Sequence, residues 1–445
     1  MRILRILLPS LVAIAALLSA AIWNGYPIVY SDTSSYLSSG FELDTLVDRP
    51  ITYGLFIRLT SLNGLSMWTV VLAQSALLWW CISVTLRWNG MRSMWRRSLV
   101  VVLISALTGL PFVSGQLMSD VFTSTLVLAM MNLLLNNGLA RTERFGMMGI
   151  LLLSFAMHMS HLGMGLLLLI LIIALGRWVL HDRAIWKRSL PVLLLMAVGI
   201  IPMGTCLAKS KHVFFAAHMA EEGILQRYLE KHCASEPMRI CAAMPIPRSA
   251  DAFMWGPESP LLRYADWSEA GTDLDLIVAG SFRDPELLKM HVRGVACATW
   301  KQLGRFDIGD GNGSFGQGTL LFERMTQYVP SEINAFAHAK QMEPGFSEAQ
   351  LGALRSLHRW AMFACAIVLP FLLIRRIRST TTDGKLATTI ALVLLLANVI
   401  NALVNAGTVM VADRFGTKVA WMIPFCCTLL IHALVTSSSA ATVKR

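Results

Sequence analysis

Four short stretches of this chain carry the side chains best suited to chemistry. Tyr30-Ser31-Asp32-Thr33-Ser34-Ser35-Tyr36 sets one carboxylate among hydroxyls, and Asp48-Arg49-Pro50-Ile51-Thr52-Tyr53-Gly54-Leu55-Phe56 follows soon after. Far along the chain come Gln116-Leu117-Met118-Ser119-Asp120-Val121-Phe122 and then Asp413-Arg414-Phe415, with Lys418 one turn later. A positioned carboxylate can take a proton from an attacking group. Fixed cations can stabilise negative charge that develops on a leaving group. All four stretches fall on the same side, at one membrane depth. Ionisable groups there are expensive and usually face a protein interior or a wet cavity. Their shared depth is the main functional clue.

The elements that must position these groups are membrane helices. The chain is 55% hydrophobic and only 15% charged, with a mean hydropathy of +0.58, whereas a soluble domain carries about 25% charged residues. Apolar runs near 3–23, 66–86, 98–114, 121–138, 146–161, 162–180, 189–208, 356–374, 386–406 and 418–436 predict about ten spans, because a helix needs roughly 20 residues to cross the hydrocarbon core. The 146–161 run is short and suits a bent or re-entrant pair with 162–180, which is tolerated where protein covers the break. The expected fold is an all-α polytopic membrane protein. The net charge of +11 collects in short loops at 87–97, 141–144, 177–188 and 375–385 and at both termini. That pattern assigns these loops and both termini to the cytoplasm and fits contact with anionic membrane lipids. It forms no basic stripe of the kind a duplex needs, so nucleic acid is not expected as a partner. The first apolar run, with Leu18-Ser19-Ala20 near its end, loosely imitates a signal peptide but is read as a retained anchor.

Three units follow: a membrane module at 1–208 with a first outer loop at 24–65, an extracytoplasmic, mainly helical domain at 209–355, and a second membrane module at 356–445. The middle unit holds 18 of the 27 acidic residues, which makes it the water-exposed part. Within it, Asp284-Pro285-Glu286 predicts a helix start, with an acid at the cap and proline at the first position. Leu288, Val292, Val295, Thr299 and Leu303 then recur at helical spacing, and a second amphipathic stretch runs from Val213 to Leu229. Both suit packing within the domain, or a place on the membrane surface. Cys233 and Cys241 are candidates for a disulfide in an oxidising compartment, with Cys297 as a competing partner.

Other features admit plainer readings. His158 and His161, three apart on one face of the 146–161 segment, suit contact with a phosphate or a metal, or simply satisfied interfacial histidines. The run from Asp307 through Asp310, Gly311 and Asn312 to Ser314 fails the spacing of a calcium loop and of a nucleotide loop, and is read as a turn-rich connection. Phe253-Met254-Trp255 and Trp267 fit either a substrate mouth or the aromatic belt of an interface. Asp32 and Asp120 equally suit helix starts, Arg49 a local pair with Asp48, and Arg414 a headgroup anchor.

Taken in order and sidedness, the four stretches resemble the GT-C superfamily. These are multispanning glycosyltransferases that use polyprenyl-phosphate-linked sugars and include the bacterial aminoarabinose and protein mannosyl transferases. The resemblance rests on Asp32 after the first helix, on Arg49-Pro50-Ile51-Thr52-Tyr53 behind it and on Asp120 opening the fourth helix. It covers roughly residues 1–140 and extends weakly to Arg414-Phe415, before an apolar run ending in Pro424. It implies transfer of a sugar from a polyprenyl-phosphate donor to an envelope lipid, glycan or protein at the outer face of a bacterial-type inner membrane. Asp32 would be the general base and Asp120 a second site acid that positions the acceptor or a cation. Arg414, Arg49 and Arg58 would hold the phosphate, with Tyr53 behind them and His158 and His161 as further contacts. Asp32 and Asp120 stand singly where many members show paired acids, which leaves a divalent metal without support, and no cofactor is implied. Rival readings are a transporter or flippase of lipid-linked glycans, dependent on groups deep in the helices such as Asn398, Asn401 and Asn405, and a catalytically inactive assembly protein. The asymmetric interruption of the two halves counts against the transporter.

Overall fold

A computed structural model describes residues 4–442 except Pro237, Pro344 and residues 378–381. The basic residues Arg2, Arg378, Lys444 and Arg445, part of the orientation argument, lie outside the described residues. Among the described residues every regular element is a helix, apart from one isolated bridge between Ile28 and Gln116. Six helices are long and apolar enough to cross a membrane: Trp68–Trp88, Ser160–Trp178, Ile185–Met203, Glu348–Ile377, Gly384–Ala406 and Asp413–Thr436. This is the architecture of a helical integral membrane protein.

The other four expected spans are helical but shorter. Leu4–Leu17 ends at Leu18, Met94–Leu107 ends before Thr108-Gly109, and Val121–Leu135 and Arg141–Met157 run to 15 and 17 residues. Val121–Leu135 is buried on every side, so its apolarity reflects a central place in the bundle rather than lipid contact. Glu348–Ile377 is its opposite, with Trp360, Phe363, Ile367, Phe371 and Ile374 all exposed. Its 30 residues extend about 45 Å, beyond the roughly 30 Å of a hydrocarbon core. Its first turns therefore stand clear of that core. There Arg355 donates to the Ile308 carbonyl at 2.8 Å and Arg359 to the Asp307 carboxylate at 3.0 Å.

Two short helices, Ser31–Glu42 and Thr52–Thr60, cross where Gly40 meets Gly54. A Cβ on Gly40 would run into the Gly54 backbone carbonyl. The crossing therefore needs glycine at that point, and it fixes the rotation of the helix that carries Asp32.

The segment 209–355 contributes to two larger cores and, through Ile308 and Leu351, to a small third cluster. Residues between Val213 and Leu287 pack around Leu225, Phe253, Leu274 and Ile277 in a cluster of their own, stapled at one edge by the Cys233–Cys241 disulfide. Cys297 is exposed and free. Leu321, Met325, Val329, Phe336 and Met342 belong instead to the large core shared with the membrane helices. Glu332 ties this second part down, accepting from the Tyr26 hydroxyl at 2.6 Å, the Ser66 hydroxyl at 2.6 Å and the Met67 amide at 2.9 Å.

The helix Pro285–Leu303 begins as its sequence predicts, with the Asp284 carboxylate accepting from the amides of Glu286 and Leu287. Its packing differs from the spacing argument. The buried face holds Leu287, His291, Gly294, Ala298 and Gln302, whereas Leu288, Val292 and Leu303 point outward. Small Gly294 allows the closer approach, since a Cβ there would press on the Glu222 side chain.

Candidate functional site

Asp32 is the second residue of Ser31–Glu42, a helix that starts where the Thr33 hydroxyl accepts the Tyr30 amide at 2.9 Å. An acid in a first turn is favoured by the amide dipoles behind it. The preceding strand-like segment is clamped by Gln341, which accepts from the Val29 amide at 3.0 Å and donates to the Val29 carbonyl at 2.8 Å. Thr33 also reaches the Leu117 carbonyl at 3.1 Å, and the Tyr36 hydroxyl meets that of Ser119 at 3.1 Å. Residues 28–36 and 114–120 thereby form one unit.

Two guanidinium groups hold the Asp32 carboxylate. Arg49 lies 3.2 Å from one oxygen and Arg414 lies 3.2 Å from the other. Arg49 is also bound by Asp48 and lies over the Tyr36 ring at 5.3 Å. Arg414 lies over the rings of Tyr30 at 4.5 Å and Phe415 at 4.9 Å. Its backbone amide donates to the Asp310 carboxylate at 3.2 Å. Burial pushes the Asp32 carboxyl up, but Arg49 and Arg414 outweigh it and hold the group below its ordinary value of 3.8. Burial pushes the nearby Tyr36 hydroxyl up to about 12, so it stays protonated and neutral.

One turn beyond Arg414, Lys418 is fully buried and pairs with Asp120 at 3.2 Å. The Lys418 carbonyl accepts from Ser124 at 2.6 Å, and the Trp421 indole donates to the same Ser124 hydroxyl at 2.9 Å. Positions 414 and 418 share a helix face. The buried pair therefore anchors the short helix Asp413–Ala420 against Val121–Leu135 and sets where Arg414 points.

The Asp32 cluster opens onto a cavity of about 960 Å³. Tyr30, Asp32, Arg49, His158 and Arg414 are among the residues that line it, and so are Phe214, Trp255 and Trp267. Of the candidate site residues, Asp32, Arg49, Arg414 and His158 line this cavity, as do Trp255 and Trp267, whereas Asp120, Tyr53, Arg58 and His161 do not. Asp120 is buried against Lys418, outside the lining. Tyr53 is in the core, donating to Gln74 at 3.1 Å. Arg58 faces away and donates to Asn63 at 2.9 Å.

The two histidines do not share a helix face. His158 caps the end of Arg141–Met157 in an extended conformation, and His161 lies in the first turn of Ser160–Trp178. His161 is satisfied by Thr123 at 2.8 Å and the Ser154 carbonyl at 2.6 Å. The Nδ1 of His158 accepts the Ser160 amide at 3.2 Å, which leaves Nε2 as the donor on the cavity side.

Sequence reasoning missed Asp310 and Gln341. Asp310 stands in the turn-rich loop where Gly311, at φ +68, brings the backbone against the Tyr30 ring. The glycine density of 309–313 was the available signal, and nothing local marked Gln341. Among the described residues no group of three His, Cys, Asp or Glu side chains gathers in a way that would hold a metal ion. No family model, curated protein or solved structure matches this chain.

Proposed function

We propose that this protein transfers a sugar from a polyprenyl-phosphate donor to an envelope acceptor, as a GT-C-type inverting glycosyltransferase. In this reading the chain has about ten spans, both termini are cytoplasmic, and the cavity opens at the outer face of a bacterial-type inner membrane. One observation carries the proposal: a carboxylate held between two guanidinium groups on the wall of a large cavity.

The chemistry follows from that arrangement. A phosphate entering the cavity competes with Asp32 for Arg414, because guanidinium binds phosphate in the same forked geometry as carboxylate. Losing one cationic partner makes Asp32 more basic. Asp32 then accepts the proton of the acceptor hydroxyl as that oxygen bonds to the anomeric carbon. The bond from carbon to phosphate oxygen breaks, and the electron pair leaves on the polyprenyl phosphate, next to Arg414 and Arg49. Asp120 and Lys418 act through the placement of Arg414.

The rival transport reading draws on Asn398, Asn401 and Asn405. Their amide groups are engaged within the helices, Asn401 with the Phe415 carbonyl at 2.6 Å and Asn405 with the Asn401 carbonyl at 2.8 Å. Asn398 donates to the Leu394 carbonyl at 3.0 Å. These contacts support a packing role.

The test is mass spectrometry of envelope lipids and glycans from cells with wild type, Asp32→Asn or Arg414→Ala, matched for membrane expression. A sugar-sized mass increment present in wild type and lost in both variants is expected. A profile untouched by either substitution but altered by deleting the protein would reject the enzyme and leave transport or scaffolding.

A further inference from the structure

Another part of the cavity lining has a different chemistry from the ion cluster. Trp255 and Trp267 are in contact, with ring centroids 4.8 Å apart and planes tilted by 35°, and Phe214 meets Trp267 edge-on at 5.7 Å. All three line the cavity, together with Asp251 and Asp266. Trp255 is 53% exposed, so its ring face is accessible to a ligand in the cavity. Asp266 caps the helix Trp267–Ser281 with one oxygen, accepting the Glu269 amide at 2.8 Å. The carboxylate of Asp251 stands in the first turn of Ala250–Trp255.

This combination selects among the molecules that could lie there. An ionised carboxylate is an acceptor only and asks for donors. Lys211 also lines the cavity, but the two carboxylates outnumber it and disfavour a phosphate, and an apolar polyprenyl tail would leave them desolvated without a partner. A pyranose suits both features, because one face of the ring presents C–H groups to an indole while hydroxyls at its edge donate to carboxylates. Aromatic side chains offer such area in a rigid form, with a polar rim to set orientation.

We infer that the wall of Trp255, Trp267, Asp251 and Asp266 is a saccharide subsite, and that the acceptor of the reaction is a glycan. The second half of this statement rests on the transferase reading, since the donor phosphate takes the arginine wall and leaves this one to the acceptor. The first half does not depend on it.

The test uses the full chain in phosphatidylcholine nanodiscs, titrated with methyl β-D-glucopyranoside, cellotriose, maltotriose and chitotriose while intrinsic fluorescence is followed. The chain has 13 tryptophans, so each titration is repeated on Trp255→Ala to isolate the signal. At least one saccharide is expected to bind saturably. Trp255→Ala should weaken it roughly tenfold, the scale of one lost aromatic contact. Asp251→Asn, an exposed position that keeps the aromatic pair, should weaken it several-fold and guards against a folding artefact. Absence of saturable binding by all four sugars would overturn the subsite, as would wild-type affinity in both wall variants. Farnesol binding at Trp255 in place of sugars would assign the wall to a lipid tail and also overturn it. Saccharide binding with no sugar transfer in cells would leave the subsite standing and reject the transferase alone.

Discussion

Asp32 and Asp120 read alike in the sequence, each a single acid at the end of an apolar run, yet the fold treats them in opposite ways. Asp120 is closed off with one partner, Lys418, whose side chain has no exposure at all. Asp32 is shared by two arginines and remains 23% exposed at a cavity of about 960 Å³. A buried pair of the first kind gains little net stability over an apolar pair but punishes the loss of either member. A partly open carboxylate shared by two arginines can instead change partners when a ligand arrives. The difference separates an acid that builds the site from an acid that can react in it.

Substitutions can break or sharpen this contrast. The largest effect is expected from Asp32→Asn, which should cut sugar transfer by roughly 10²–10⁴-fold, the usual span for a general base, with little change in the unfolding temperature of the purified protein. Lys418→Met should do the reverse. Stranding the Asp120 charge in the bundle should cost about 3–5 kcal/mol, seen as a fall in unfolding temperature, and the double variant Lys418→Met with Asp120→Leu should recover most of it. Arg414→Lys keeps the charge but loses the fork. It should lower kcat/KM by about 10–100-fold, the range for a lost hydrogen bond to a charged group. Gly40→Ala should part the two crossing helices and cost about 1–3 kcal/mol, with a matching loss of transfer because Asp32 rides on one of them.

The smallest effect concerns pH. Asp32 has a folded value below its ordinary 3.8. Its ion pairs therefore contribute stability that is present above that ordinary value and lost as pH falls through the lower, folded one. The acid limb of kcat/KM assigned to Asp32 should lie below the ordinary carboxylate range, and the limb of kcat should lie higher, because bound donor draws Arg414 away. Identical limbs in the two profiles would contradict the exchange of partners.

Much of the architecture was legible because apolar length is a strong signal. Long runs such as 66–86 and 386–406 correspond to the helices Trp68–Trp88 and Gly384–Ala406. The sequence could not show that Val121–Leu135 is apolar because it is central, since lipid and protein interior select the same residues. It left the face of Pro285–Leu303 open between the domain and the membrane surface, and in the structure Leu288, Val292 and Leu303 point outward while Gly294 packs inward. Spacing reveals a stripe but not what it meets. At the site, Asp32, Arg49 and Arg414 were readable as charges too costly to leave without a purpose. The partnership of Asp120 with Lys418 and the placement of Asp310 and Gln341 depend on residues far apart in sequence, about which local pattern is silent.

The most direct measurement compares Asp32→Asn with Asp120→Asn, scoring sugar transfer per mole of folded protein in the same nanodiscs. The account predicts that Asp32→Asn folds normally and transfers at least about a hundredfold more slowly, while Asp120→Asn yields less folded protein whose remaining molecules stay within about tenfold of wild-type activity. Full activity in folded Asp32→Asn would contradict it, and so would an Asp120→Asn protein that folds normally but transfers no sugar.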